Sequence, residues 1–124
     1  MKVLCFGSEI LEGDKTAFEV CEILKGELQG VEFVRCEDPF EILKQKGEVL
    51  VLDVVKGLKK VEFVPVIALK RKKMYTLHDL DLGFLLRLAD SMQGEGPKIR
   101  VLGIPQGSKA EEVAEEVKRL LSSL

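Results

Sequence analysis

The sequence predicts an α/β fold: a three-layer sandwich in which a mostly parallel, twisted sheet of about five strands carries helices on both faces. Three observations lead there. Short apolar runs recur along the chain, and the clearest, Glu48 to Val55, is almost unbroken, as strands buried on both faces are. Between these runs lie segments whose apolar residues follow a helical period. Glycine and proline mark the junctions between the two kinds of segment.

Each element can be justified in order. Lys2 to Phe6 reads as a buried strand, followed by a glycine-containing loop. Lys15 to about Gly26 reads as a helix, because Ala17, Val20, Cys21 and Leu24 fall on one face. Asp14 is expected as its N-cap or in its first turn, where a carboxylate is favoured. Val31 to Arg35 is a second strand, and Pro39 is placed to open a short helix to about Lys44. Glu48 to Val55 is the third and most central strand. Val61 to Val64 and Val66 to Leu69 read as extended pieces around Pro65, which marks an edge position or a break between strands. Thr76-Leu77-His78-Asp79 has the pattern of a capping box, and the strongly apolar helix it opens runs to about Met92. Ile99 to Ile104 is the last strand. Ser108-Lys109-Ala110-Glu111 is a second capping box, opening a C-terminal helix with Val113, Val117, Leu120, Leu121 and Leu124 on one face.

Bulk properties narrow the class of function. With 124 residues, the chain is expected to form a single domain over residues 1–124. A formal net charge of −2 gives no reason to expect broad nucleic-acid binding. No apolar stretch is long enough to span a membrane, and Met1-Lys2 leads directly into a strand-like run, so a soluble, cytoplasmic protein is expected. Cys5, Cys21 and Cys36 lack metal-ligand spacing and imply no disulfide framework; Cys5 and Cys21 are expected in the core. The basic run Lys70-Arg71-Lys72-Lys73 reads as a solvated turn, with docking of an acidic partner segment as its functional alternative.

Asp14, Asp53 and His78 stand out as candidate functional residues. Each lies near an element boundary, and they belong to three separate segments. A carboxylate in a buried strand is costly unless it is paired, protonated or bound to a metal. In an open parallel sheet, ligands bind beyond the carboxyl ends of the strands, where strand order reverses. If the first strand lies between the second and third, Asp14 and Asp53 share that crevice. Two carboxylates and one imidazole suit a borderline divalent ion such as nickel or zinc, and three protein ligands leave positions open for water or substrate. Taken singly, each residue has a simpler role: Asp14 as a helix cap, Asp53 as the cap of a following turn, His78 as a surface residue in a first helical turn.

The chain resembles the hydrogenase maturation endopeptidases over nearly its whole length. The resemblance is carried by Val3-Leu4-Cys5-Phe6-Gly7-Ser8-Glu9-Ile10-Leu11-Glu12-Gly13-Asp14, by Val49-Leu50-Val51-Leu52-Asp53, by Thr76-Leu77-His78-Asp79-Leu80-Asp81-Leu82, and by the stretch from Gly96 to Pro105. The resemblance implies that Asp14, Asp53 and His78 are the metal-ligand and catalytic residues. It also implies a metal-dependent endopeptidase that removes the C-terminal extension of a nickel-iron hydrogenase large-subunit precursor. The nickel is then carried by that precursor, with other divalent metals able to substitute. The chain departs from the family pattern at Ser8, where the family has asparagine, and at Asp14-Lys15-Thr16-Ala17, where a second acid followed by glycine is expected. It departs again at Arg35-Cys36-Glu37-Asp38-Pro39, which stands where the family has a glycine-rich loop. These departures favour the alternative of a non-catalytic relative that acts as a chaperone for a hydrogenase subunit or a metal. A receiver-like phosphoacceptor domain would also place an aspartate at the end of a third strand. It needs in addition an acidic pair after the first strand and a lysine after the last, and Phe6-Gly7-Ser8 and Gly103-Ile104-Pro105 stand there instead.

Overall fold

The computed structural model describes residues 1–7, 15–70, 82–92 and 96–124. Five strands form one sheet: β1 (Lys2–Phe6), β2 (Glu32–Cys36), β3 (Glu48–Val55), β4 (Glu62–Val64) and β5 (Lys98–Pro105). The helices are α1 (Thr16–Leu24), α2 (Val66–Lys70), α3 (Leu82–Ser91) and α4 (Ala110–Ser122), with a 3₁₀-helix over Pro39–Lys44. Strand order is β2-β1-β3-β5-β4; every neighbouring pair is parallel except β4 with β5, which is antiparallel. The α/β class, the mostly parallel sheet and the central place of β3 are as the sequence predicts.

Alternation along the strands sorts side chains onto two faces. Cys5, Leu50, Leu52, Val54, Leu102 and Ile104 pack with Ala17, Val20, Cys21 and Leu24 of α1 and with Val113, Val117 and Leu121 of α4. Leu4, Phe6, Val49, Val51, Val55 and Val101 pack on the opposite face with Ile42 of the 3₁₀-helix and Leu86 of α3. Burying the central strands on both sides is what their near-continuous apolar sequence requires. All three cysteines are buried and free.

Several local expectations change. Residues 66–70 are helical as α2, not extended. Pro65 precedes that helix, and its fixed φ suits a helix start as well as a strand break. The predicted capping box at Ser108 does not form. The N-cap position of α4 falls on Lys109, which makes no side-chain capping bond, while Ser108 Oγ donates to the Pro105 carbonyl at 2.6 Å. The N-cap position of α1 likewise falls on Lys15, with no side-chain capping bond. Pro39 opens a helical segment as expected, but one of 3₁₀ type, capped by the Asp38 side chain accepting from the Phe40 amide at 3.0 Å. The box at Thr76, most of the basic run at 70–73 and the start of the apolar helix lie outside the described residues. Within α3, Leu86 and Ala89 are buried while Arg87 and Asp90 are exposed, so this part of the helix is two-sided. No helix among the described residues is long and apolar enough to cross a membrane.

Candidate functional site

Strand order sets where a site can form. The chain leaves β1, pairs β2 on one side of it, then returns to place β3 on the other side. β1 therefore lies between β2 and β3, and the connections diverge where β1 meets β3. The carboxyl ends of these two strands border the switch point of the sheet, the usual ligand position in open α/β sheets.

Asp53 lies at that border. The β1–β3 ladder ends with Cys5 opposite Leu52, so Asp53 comes one residue later, level with the end of β1. It shares a strand face with Val49, Val51 and Val55 and is only 2% exposed. Its Oδ1 accepts a hydrogen bond from the Val54 amide at 2.8 Å. The backbone thus holds the carboxylate at the point where the β1 ladder has stopped. On the β5 side Asp53 is paired with Gly103. A Cβ at residue 103 would sit 2.5 Å from Leu58 Cδ1, 2.9 Å from Val64 Cγ2 and 3.0 Å from Val55 Cγ2. Glycine there is a packing requirement, because three apolar side chains occupy the space its Cβ would need.

Of the three predicted site residues, Asp53 alone is described; Asp14 and His78 lie outside the described residues. Lys15, next to Asp14, precedes α1, which returns from the carboxyl end of β1. The helix that follows His78 in sequence, α3, packs through Leu86 on the same sheet face as Asp53. Among the described residues no group of three or more His, Cys, Asp or Glu side chains is arranged to hold a metal ion. A desolvated carboxylate can act as one ligand of a cation or as a base, and it needs further groups beside it to do either selectively.

The Cys5 and Cys36 thiols are held protonated, whereas the bond with Cys5 lowers that of Cys21. The Cys36 thiol is pushed up to about 11, first by burial and then by the negative charge of Glu41. Cys5 shares a side-chain hydrogen bond with Cys21 across β1 and α1, and that bond together with burial raises its thiol well above the ordinary range. A feature the sequence reading missed lies at the β2 edge. A cavity of about 340 Å³ is lined by Lys15, Phe18, Glu19, Glu22 and Arg35. The Arg35 guanidinium lies 4.4 Å from the Phe18 ring centroid and 3.7 Å from the Glu22 carboxylate. The sequence signal was available: Phe18 and Glu22 stand four apart on one helix face.

No protein-family model and no curated relative matches the sequence. Solved structures do match. The chain superposes on the endopeptidase HybD of E. coli, a hydrogenase maturating enzyme, with a TM-score of 0.66 at 16% identity, covering 99% of this chain and 90% of that one. Its fold is that of the hydrogenase maturation proteases. HybD from Thermococcus kodakarensis, a NiFe-hydrogenase maturation protease, gives a TM-score of 0.65 at 16% identity, covering 96% of this chain and 97% of that one. The hydrogenase 3 maturation protease gives 0.64 at 18% identity, covering 95% and 86%. At these identities the likeness to the maturation proteases is one of fold, and it extends across both the sheet and the flanking helices.

Proposed function

We propose that the chain is a metal-dependent endopeptidase of hydrogenase maturation. In this reading it removes the C-terminal extension of a nickel-iron hydrogenase large-subunit precursor after nickel insertion, with Asp14, Asp53 and His78 as ligands to the metal. One observation carries the proposal: in a fold shared with the maturation proteases, a carboxylate only 2% exposed stands at the switch point of the sheet. A buried carboxylate is costly unless it is paired, protonated or bound to a cation, and the switch point is where a ligand would meet it.

Chain connectivity supports the partners. The last turn of α3 lies beside the start of β5, where Ala89 and Asp90 line a small cavity with Lys98 and Ile99. A helix that feeds a parallel strand through a short connection runs opposite to it, so α3 begins toward the carboxyl end of the sheet. The segment containing His78 precedes that beginning, and Asp14 precedes Lys15 at the start of α1.

Nickel here is cargo of the substrate. Asp53, held by the Val54 amide, would offer a fixed oxygen to it, and a third ligand of imidazole type suits the same ion. The metal would then mark a loaded precursor and either polarise the nearby scissile carbonyl or activate a water. The test is incubation of the purified protein with nickel-loaded and nickel-free precursor, with products identified by intact mass. Cleavage of the loaded precursor alone, lost in Asp53→Asn and His78→Ala, is the expected result. Absence of cleavage by the wild type would overturn the protease reading.

A second reading, a non-catalytic chaperone for the precursor or its metal, is favoured by one observation. β2 ends at Cys36 and passes through Asp38 directly into the 3₁₀-helix, with no room for the glycine-rich loop that the family resemblance leads one to expect. Stable binding of the precursor without cleavage is its signature in the same experiment.

A further inference from the structure

We propose that Gly103 and Leu58 act as a positioning pair for Asp53, holding its carboxylate on the Val54 amide and closing its β5 flank to water. The proposal rests on Asp53 being the working carboxylate of the function proposed above.

The contact is created by residues far apart in sequence. Asp53 and Gly103 are register partners in the β3–β5 ladder and present to the same sheet face. After β3 the chain reverses through Gly57, whose φ of +91° is a conformation that favours glycine. The reversal brings Leu58 back over the sheet, where its Cδ1 takes the place a Cβ of residue 103 would need. Val64 of β4 and Val55 of β3 complete the wall. On the β5 side the register partner of Asp53 is therefore a glycine covered by hydrocarbon, while on the β1 side Asp53 borders the switch point of the sheet. A carboxylate beside an apolar wall, with a backbone amide fixing one oxygen, is preorganised in the sense that a binding site requires. Neither Gly103 nor Leu58 touches the reacting group's ligand in this scheme; both act through Asp53.

Amide hydrogen exchange of Val54 reads the carboxylate's position directly, because that amide donates to Asp53 Oδ1. The measurement is made by NMR on the metal-free protein, with the Leu102 amide as an internal reference for general loosening. Gly103→Ala must push Leu58 or Val64 aside, and Leu58→Ala opens the wall. Each is expected to speed Val54 exchange by about tenfold or more relative to Leu102. In the double variant the methyl group at position 103 no longer meets Leu58, its tightest neighbour, and only the lesser crowding by Val64 and Val55 remains, so Val54 exchange should return part of the way toward wild type. That recovery is one a merely additive loss of packing would not give. Leu58→Ala serves alone if Gly103→Ala fails to fold. Val54 exchange that is unchanged in a folded single variant, or that accelerates additively in the double, overturns the positioning role. Calorimetric titration with nickel and cadmium ions, on the wild type and on Asp53→Asn, tests the ligand reading separately. Binding that is indifferent to Asp53→Asn would remove that reading while leaving the exchange result to stand on its own.

Discussion

Replacing Asp53 by asparagine separates a functional carboxylate from a structural one. The side chain is 2% exposed among Val49, Val51 and Val55, and the Val54 amide donates to it at 2.8 Å. Asparagine has nearly the same shape and keeps an oxygen for that amide. Removing the buried charge relieves a desolvation penalty of several kcal/mol, of which the charge-assisted bond from the Val54 amide had returned about 1.5–3 kcal/mol, beside what the carboxylate's other interactions return. The two new amide donors take back about 1 kcal/mol or more where they find no acceptor. The expected net change is a gain in stability of about 1–2 kcal/mol, together with loss of metal binding. For a chain of this size that corresponds to a rise in Tm of about 4–8 °C. Urea unfolding of the metal-free protein at pH 7, followed by circular dichroism, measures the change. A loss of stability greater than about 1 kcal/mol would mean that the carboxylate is an anchor of the fold, and the argument from its cost would collapse.

Two further predictions follow from other residues. Cys36 is pushed up to about 11 chiefly by burial, so its thiol binds a proton in the folded state at pH values where the unfolded chain has released it. Stability is then fully present below about pH 9 and falls as pH rises from there through about 11; urea midpoints across that range should fall in the wild type and fall less in Cys36→Ala. Ser108→Ala should cost about 0.5–1 kcal/mol, the worth of one partly buried hydroxyl bond to the Pro105 carbonyl. A loss of about 2 kcal/mol in thermal unfolding would restore Ser108 to the capping role that its sequence context suggested.

The central sheet was legible because its strands announce themselves. Glu48 to Val55 has no other stable use for so many adjacent apolar residues, and Asp53 within it was visible as the residue that breaks the pattern. The error at 66–70 has a plain cause. Val66 and Ile67 are β-branched, and a five-residue helix is too short to show a helical period, so propensity and length both argued for a strand. The box at Ser108 failed because a serine hydroxyl can serve the carbonyl of a preceding turn as readily as the amides ahead of it. Gly103 and Leu58 could not have been read as neighbours of Asp53. Their meeting depends on strand order and on the turn at Gly57, and a local window of sequence records neither. For Asp14 and His78 the sequence remains the source of the assignment.

The ladder between β3 and β5 joins residues about fifty positions apart at every rung, from Glu48 with Lys98 to Val55 with Pro105. Closing a loop of that length costs about 3.5 kcal/mol of chain entropy before the first rung forms. Only the hydrophobic residues along eight consecutive partners offset that cost, so β3 and β5 should zip late and together, after the local β1–α1–β2 unit. Asp53 and Gly103 are one of those rungs. The chain therefore cannot assemble the flank of its candidate site until the C-terminal third has been synthesised and folded back, and a nascent or truncated form lacking β5 would be expected to expose the carboxylate without its apolar wall.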